Sequence, residues 1–210
     1  MSHTMVSTVT DKTAHWTPEE QDLDRFTQGE MYESFQLFGA HPEERNGEQG
    51  IRFCVWAPNA REVRVAGDFN AWNGNGHRMR RTGGGVWFLF VPRIGTGSLY
   101  KYEVVAQDGS VFMKADPYAF YSEVKPNTAS ITYDLSGYVW NDGTWRRKRA
   151  RAKSYHRPMM IYEVHLGTWK RKPNGDYYTY RELAEELPEY AASMGYTHIE
   201  VLPFTEHPYD

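Results

Sequence analysis

A chain of 210 residues with 24 Lys and Arg, 27 Asp and Glu and a net charge of −3 is too nearly neutral to argue for a polyanion. No apolar run reaches the roughly 18 residues of a membrane span, and the N-terminus lacks the charged-then-apolar pattern of a secretory signal. Neither nucleic acid nor a membrane is therefore an expected partner, and the expected location is the cytoplasm. The single cysteine, Cys54, excludes an internal disulfide or thiolate cluster and reads as a small core residue inside Ile51-Arg-Phe-Cys-Val-Trp56. The excess lies in aromatics: 7 Trp, 15 Tyr and 10 Phe. Such rings fill β-sandwich cores and also stack on the flat C–H faces of sugars.

In chain order, residues 1–30 form a polar, weakly patterned segment in which Trp16-Thr-Pro-Glu-Glu20 reads as a short helix start, with Pro18 early and acidic residues in the first turn. From Ser34 the pattern turns to short strands, expected at Ile51–Trp56, Glu62–Gly67, Val86–Val91, Leu99–Ala106 and Ser130–Asp134. Turn signals separate them at Pro58-Asn59, Asn73-Gly-Asn-Gly76, Gly83-Gly-Gly85, Gly95-Thr-Gly97 and Gln107-Asp-Gly109. Short strands at this spacing predict an immunoglobulin-like antiparallel β-sandwich over residues 31–145. A basic stretch over 146–158, beginning Arg146-Arg-Lys-Arg149, reads as a solvated linker, since the chain is acidic overall and has no second basic stripe.

Residues 159–210 change character. Ile161-Tyr-Glu-Val-His-Leu-Gly-Thr-Trp169 has the bias of a buried strand. Thr179 and Glu182 make a capping box for a helix carrying Leu183, Leu187, Tyr190, Ala191 and Met194 at helical spacing, with Gly195 as its stop. Thr197-His-Ile-Glu-Val-Leu-Pro203 reads as a second strand. Strand, helix and strand make a βαβ unit with parallel strands, which leaves unpaired edges and a bare sheet face. A (β/α)8 TIM barrel takes about 250 residues, so the expectation is a multi-domain chain: a sandwich, then the start (β1-α1-β2) of a barrel that is truncated, from the amino-terminal part of a larger enzyme.

Tyr162-Glu-Val-His-Leu-Gly-Thr-Trp169, Tyr180-Arg-Glu-Leu-Ala184, His198-Ile-Glu-Val-Leu-Pro203 and Glu206-His-Pro-Tyr-Asp210 resemble the opening of the catalytic barrel in 1,4-α-glucan (glycogen) branching enzymes. Phe53-Cys-Val-Trp-Ala-Pro58, Val65-Ala-Gly-Asp-Phe-Asn-Ala-Trp72 and Asp116-Pro-Tyr-Ala-Phe120 resemble the carbohydrate-binding module that precedes it. The resemblance implies cleavage of an α-1,4 bond and transfer of the segment to a 6-hydroxyl, making the α-1,6 branches of glycogen. Retaining chemistry of this kind uses two carboxyl groups about 5 Å apart. In the family both come from barrel strands beyond the second, so no catalytic residue is assigned, and this chain alone is expected to be inactive.

Glu163 and Glu200 lie within strands and are expected to make structural ion pairs or hydrogen bonds. Near the C-terminal ends of the strands, where barrel chemistry assembles, His165, Trp169, Glu206, His207, Tyr209 and Asp210 are candidates to border the glucan groove. In the sandwich, the resemblance assigns carbohydrate binding to Trp72, Lys101 and Asn127. It departs from the glycogen-binding pattern after the Asp108-Gly109 turn, where Gly109-Ser-Val-Phe112 stands in place of a second tryptophan. No metal and no cofactor are expected. The expected partners are α-1,4-glucan or glycogen and the remainder of the catalytic barrel. A non-catalytic glucan-binding module, or part of a related debranching or trehalose-forming hydrolase, stands as the alternative.

Overall fold

The computed structural model describes residues 18–152, 156–202 and 204, and the chain divides into two compact units, one through Val139 and one from Trp140. The first unit is built on two antiparallel sheets. Strands β1 (Gly39–Arg45), β2 (Glu48–Trp56), β4 (Arg80–Arg81) and β5 (Val86–Pro92) form one, in the order β1-β2-β5-β4. The other has the order β3-β6-β9-β8, from β3 (Glu62–Gly67), β6 (Leu99–Val105), β8 (Tyr121–Ser122) and β9 (Ser130–Ile131). A further strand, β7 (Val111–Lys114), shares the second edge of β6 with β9: β9 pairs at Leu99 and Tyr100, and β7 pairs from Tyr102 to Val105.

Period-two alternation builds the core. Ile51, Phe53 and Val55 of β2 and Trp87 and Val91 of β5 meet Val63 and Val65 of β3 and Tyr100 and Tyr102 of β6. Each such buried side chain contributes on the order of 1.5–3 kcal/mol. β2 is covered on its other face too. Cys54 packs there with Leu37, Phe38, Val86 and Phe88, and Leu23, Phe26, Met31 and Tyr118 lie over them. Burial pushes the Cys54 thiol up to about 12, so it serves as an inert core atom. Leu23 and Phe26 come from helix α1 (Glu20–Thr27), and the Phe26 ring lies 4.5 Å from that of Phe38. Residues 18–30 are therefore part of the sandwich unit rather than a separate polar segment; Trp16 lies outside the described residues.

Strands missing from the sequence reading have physical reasons. β1 carries Pro42, Glu43, Glu44 and Arg45, which suit an edge strand and hide the alternation. β7 is exposed throughout, and β4 and β8 are two residues each. The expected strand at Ser130–Asp134 is confined to Ser130–Ile131.

The second unit differs from expectation at its start. Where a linker was expected over 146–158, helix α2 runs Gly143–Arg151, because Arg, Lys and Ala are good helix formers whatever their charge. The apolar run after Met160 is split: β10 covers Ile161–Val164, and a short helix, α3, covers Leu166–Trp169. Ile161 is half exposed, so the strand is not buried on both faces. Helix α4 spans Tyr180–Ser193 with both halves of the capping box formed, and Leu183, Leu187 and Ala191 are its buried stripe. Tyr190 and Met194 remain exposed. Gly195 follows at φ +87°, the left-handed stop that glycine adopts without strain. Strand β11 (His198–Val201) pairs with β10 in parallel, Tyr162 opposite Ile199 and Val164 opposite Val201. Glu163 and Glu200 face each other across that register, exposed and without an ion-pair or hydrogen-bond partner among the described residues. The expected bracing role is absent there.

Candidate functional site

The two sheets differ in what covers them. The first is packed on both faces, whereas the second presents an outward face made of the alternate residues of β3, β6, β9 and β8. On β6, Tyr100 and Tyr102 point inward and are fully buried, so Leu99, Lys101 and Glu103 point outward. Arg64 of β3 donates to Glu103 at 2.6 Å and to Glu62 at 2.6 Å, and Arg78 adds a second contact to Glu62 at 3.1 Å.

Trp72 is delivered to the end of this face by a fixed turn. β3 ends at Gly67, where a Cβ would lie 2.3 Å from the Leu99 carbonyl oxygen, so only glycine lets the strands approach there. The chain then coils through Asp68–Asn70. Asn70 accepts from the Gly67 amide at 2.9 Å and donates to the Val65 carbonyl at 2.9 Å, while the Asp68 carboxylate accepts from the Leu99 amide at 3.1 Å. Ala71 and Trp72 follow at φ +52° and +60°. Two successive non-glycine residues in the left-handed region persist only where the surroundings hold them. Here the Trp72 amide donates to the Gly67 carbonyl at 2.8 Å. The result is an indole that is 41% exposed, with no hydrogen-bond partner for its N–H among the described residues.

Lys101 sits opposite Ala66, one register step from the Gly67–Tyr100 pair where this turn begins. Its ammonium donates to Thr128 Oγ1 at 2.6 Å, which places it beside Asn127 along the chain. Asn127 is exposed, and its backbone amide donates to the Val124 carbonyl at 3.2 Å. The structure thus brings Trp72, Lys101 and Asn127 to one end of the second sheet. Phe112 belongs elsewhere: it pairs with Val104, on the same side of the sheet as Tyr102, so it cannot replace a ring beside Lys101.

Behind this surface lies a buried polar hub that sequence reasoning did not assign. Asp116 accepts from the Tyr100 hydroxyl at 2.7 Å, the Tyr102 hydroxyl at 3.0 Å and the Tyr118 amide at 2.8 Å, and its own amide donates to Ser130 Oγ at 2.9 Å. Burial raises the Asp116 carboxyl above the usual aspartate range although all three donors act the other way, and burial beside that carboxylate raises both tyrosines well above theirs. The two tyrosines flank Lys101 in sequence, so the hub fixes the backbone that carries the lysine. The Asp-Pro-Tyr motif marked the place but not its partners, which lie on other strands.

In the second unit, Trp169 sits in α3 rather than at a strand end. It donates its indole N–H to the Tyr162 hydroxyl at 3.0 Å and lies edge-on to Tyr190 with centroids 5.7 Å apart, so it packs within its unit. His165 is exposed at the N-terminus of α3, with Nδ1 3.2 Å from Thr168 Oγ1. Glu206, His207, Tyr209 and Asp210 lie outside the described residues. Among the described residues no three His, Cys, Asp or Glu side chains converge as a metal site, and no helix is long and apolar enough to cross a membrane.

Residues 37–119 match carbohydrate-binding module 48, described as the isoamylase N-terminal domain. The chain is 54% identical over 194 residues to the 1,4-alpha-glucan branching enzyme GlgB of Geobacillus stearothermophilus, covering 92% of this chain and 30% of that protein. It is 52% identical over 195 residues to GlgB of Bacillus subtilis strain 168, with 92% and 31% covered. Among solved structures, the catalytic module of the glycogen-degrading pneumococcal virulence factor SpuA aligns with a TM-score of 0.58 at 21% identity, covering 81% of this chain and 27% of that one. Ligand-free Klebsiella pneumoniae pullulanase aligns with a TM-score of 0.54 at 23% identity, covering 80% and 18%. At those identities the structural matches speak for fold alone. The chain spans about 30% of the length of the curated relatives it matches, and over that span it is similar to the N-terminal part of 1,4-alpha-glucan branching enzymes and carries the match to carbohydrate-binding module 48.

Proposed function

We propose that the outward end of the second sheet, with Trp72 as stacking ring and Lys101 and Asn127 as hydrogen-bonding neighbours, holds α-1,4-glucan for a glycogen branching enzyme that cleaves the chain and transfers it to a 6-hydroxyl. The observation that carries this reading is the indole of Trp72, held half exposed by two left-handed residues within a stretch matching a carbohydrate-binding module. Residues 159–210 then serve as the first βαβ of the catalytic barrel, bordering the groove with His165, Glu206, His207, Tyr209 and Asp210 and meeting the remainder of that barrel. The similarity to branching enzymes supports the activity, and the parallel β10–β11 pair around α4 supports the barrel. Trp169 packs against Tyr162 and Tyr190, so its contribution is to brace the strand end rather than to touch sugar. The protein acts in the cytoplasm, where glycogen is made.

A stacked ring adds on the order of 1 kcal/mol beyond burial, so Trp72 by itself gives affinity no better than roughly millimolar, or about 4 kcal/mol. Affinity electrophoresis in gels with and without glycogen tests the reading. Retardation of the chain, abolished in Trp72→Ala with its thermal midpoint preserved, is expected. Loss of stability with retardation unchanged would make Trp72 a packing residue and the sandwich a spacer.

A further inference from the structure

We propose that Tyr121 and Tyr133 form a second sugar-stacking platform on the same outward face, so that one α-glucan chain lies across the sheet from Trp72 to the tyrosine pair. This inference rests on the reading that the face binds glucan, and adds the residues that extend it. The register sets the arrangement. Ile131 pairs with both Leu99 and Tyr121, while the neighbouring row, Tyr100, Ser130 and Ser122, contains the buried Tyr100 and Ser130 and so points inward. Leu99, Ile131 and Tyr121 therefore make one outward cross-strand row. At its far end the Leu99 amide is held by Asp68, the first residue of the turn that delivers Trp72. Three strand spacings separate the Asp68 end from Tyr121, roughly 14 Å.

Tyr133 lies two residues beyond Ile131, and its ring centroid is 5.6 Å from that of Tyr121 at an interplanar angle of 48°. The rings are 54% and 46% exposed, and neither hydroxyl has a hydrogen-bond partner among the described residues. Both therefore keep a phenol free to donate to a sugar hydroxyl while the ring meets a C–H face. Leu99 and Ile131, half-buried between the platforms, give an apolar floor, and Lys101 supplies a cation on the adjoining row. An amphipathic polyol chain suits this alternation of rings, floor and polar edge better than an apolar partner does, because the phenols and the ammonium would otherwise lose water without replacement. The pair also accounts for binding by a face whose second tryptophan position is occupied by a residue on the other side of the sheet.

The test is calorimetric titration of the 210-residue chain with maltotriose and with maltoheptaose, repeated for Trp72→Ala, for Tyr121→Ala/Tyr133→Ala and for Tyr121→Phe/Tyr133→Phe. The longer sugar should bind the unaltered chain more tightly. The double alanine variant should weaken maltoheptaose about fivefold, the equivalent of one stacked ring, and remove the advantage of length, while the double phenylalanine variant retains most of it. Maltoheptaose affinity unchanged in the double alanine variant, with loss in Trp72→Ala, would overturn the tyrosine platform and leave the Trp72 reading standing. No binding of either sugar, and no retardation by glycogen, would overturn both. Where the double alanine variant loses thermal stability as well as affinity, Tyr121→Leu/Tyr133→Leu, which keeps apolar bulk without a ring, decides: normal stability with unchanged maltoheptaose affinity would assign the rings to packing and overturn the proposal, and normal stability with reduced affinity would support it.

Discussion

At Asp116 a single residue ties the interior to the surface. Its carboxylate receives two tyrosine hydroxyls and an amide, so Asp116→Ala removes the buried acceptor of the Tyr100 hydroxyl and leaves Tyr102 only its longer, 3.4 Å bond to the Cys54 carbonyl. Such a loss costs about 3 kcal/mol, and chemical denaturation should register it, whereas Tyr121→Ala on the exposed rim should change stability little. The carboxyl also has a signature in pH. Because burial raises its folded value, the folded chain holds the proton more tightly than the unfolded chain, and stability declines as pH rises from the unfolded aspartate value, about 3.9, through the raised folded one. Asp116→Asn should flatten that decline, and an unchanged slope would mean that the hub does not bury the charge. At this scale the sequence displayed Cys54 as core and Trp72 as a ring after a strand and turn. Asp116 and its tyrosines were invisible because their meeting depends on β6, β9 and the 116–118 segment converging, which no local spacing encodes.

Elements with strong local signals formed as expected. Helix α4 begins at Thr179, whose hydroxyl receives the Glu182 amide while Glu182 receives the Thr179 amide at 2.7 Å. Thr179→Ala should cost about 1 kcal/mol. The hydrogen bonds from Lys172 and Thr179 lower the Glu182 carboxyl to about 2. Its contribution is therefore complete above the usual glutamate range and lost as pH falls through about 2, a loss that Glu182→Gln should abolish when helicity is followed by circular dichroism. Strands β2, β3, β5 and β6 were legible from alternation, whereas β1 was masked by its proline and charges and β7 by its exposure. α2 was missed because its arginines and lysines mark a solvated surface without distinguishing helix from linker. The run after Met160 was read as one strand because its apolar residues do not alternate; the break at His165 comes from the turn over residues 165–168, in which the Thr168 amide donates to the His165 carbonyl at 3.1 Å. Among the described residues β10 and β11 pair only with each other and keep Ile161 exposed, so their amides should exchange faster than those of β2 and β5. Equal protection in a dilute monomer would contradict that ranking.

For the molecule as a whole, the function proposed above would divide the work, with the sandwich holding glucan and the βαβ unit beginning the barrel that transfers it. The 210-residue chain incubated with amylose should produce no α-1,6 linkages and no change in iodine staining, since the paired carboxyls of retaining chemistry come from barrel strands beyond the second by resemblance to the family. Activity copurifying with the chain would contradict this. That the chain has two parts was legible from the change in periodicity near residue 159, but the units divide at Val139 and Trp140, because the basic stretch expected as a linker begins as helix α2. What the sequence could not convey is the asymmetry of the sandwich, one sheet covered on both faces and the other open, because it depends on α1 and Tyr118 folding back over Phe38 and Phe88. That open face is the central claim. Amide and indole chemical shifts of the chain titrated with maltoheptaose test it most directly: the account predicts shifts at Trp72, Lys101, Asn127 and Thr128, extending to Tyr121 and Tyr133, and shifts confined to the second unit or to the β1–β2 edge would contradict it.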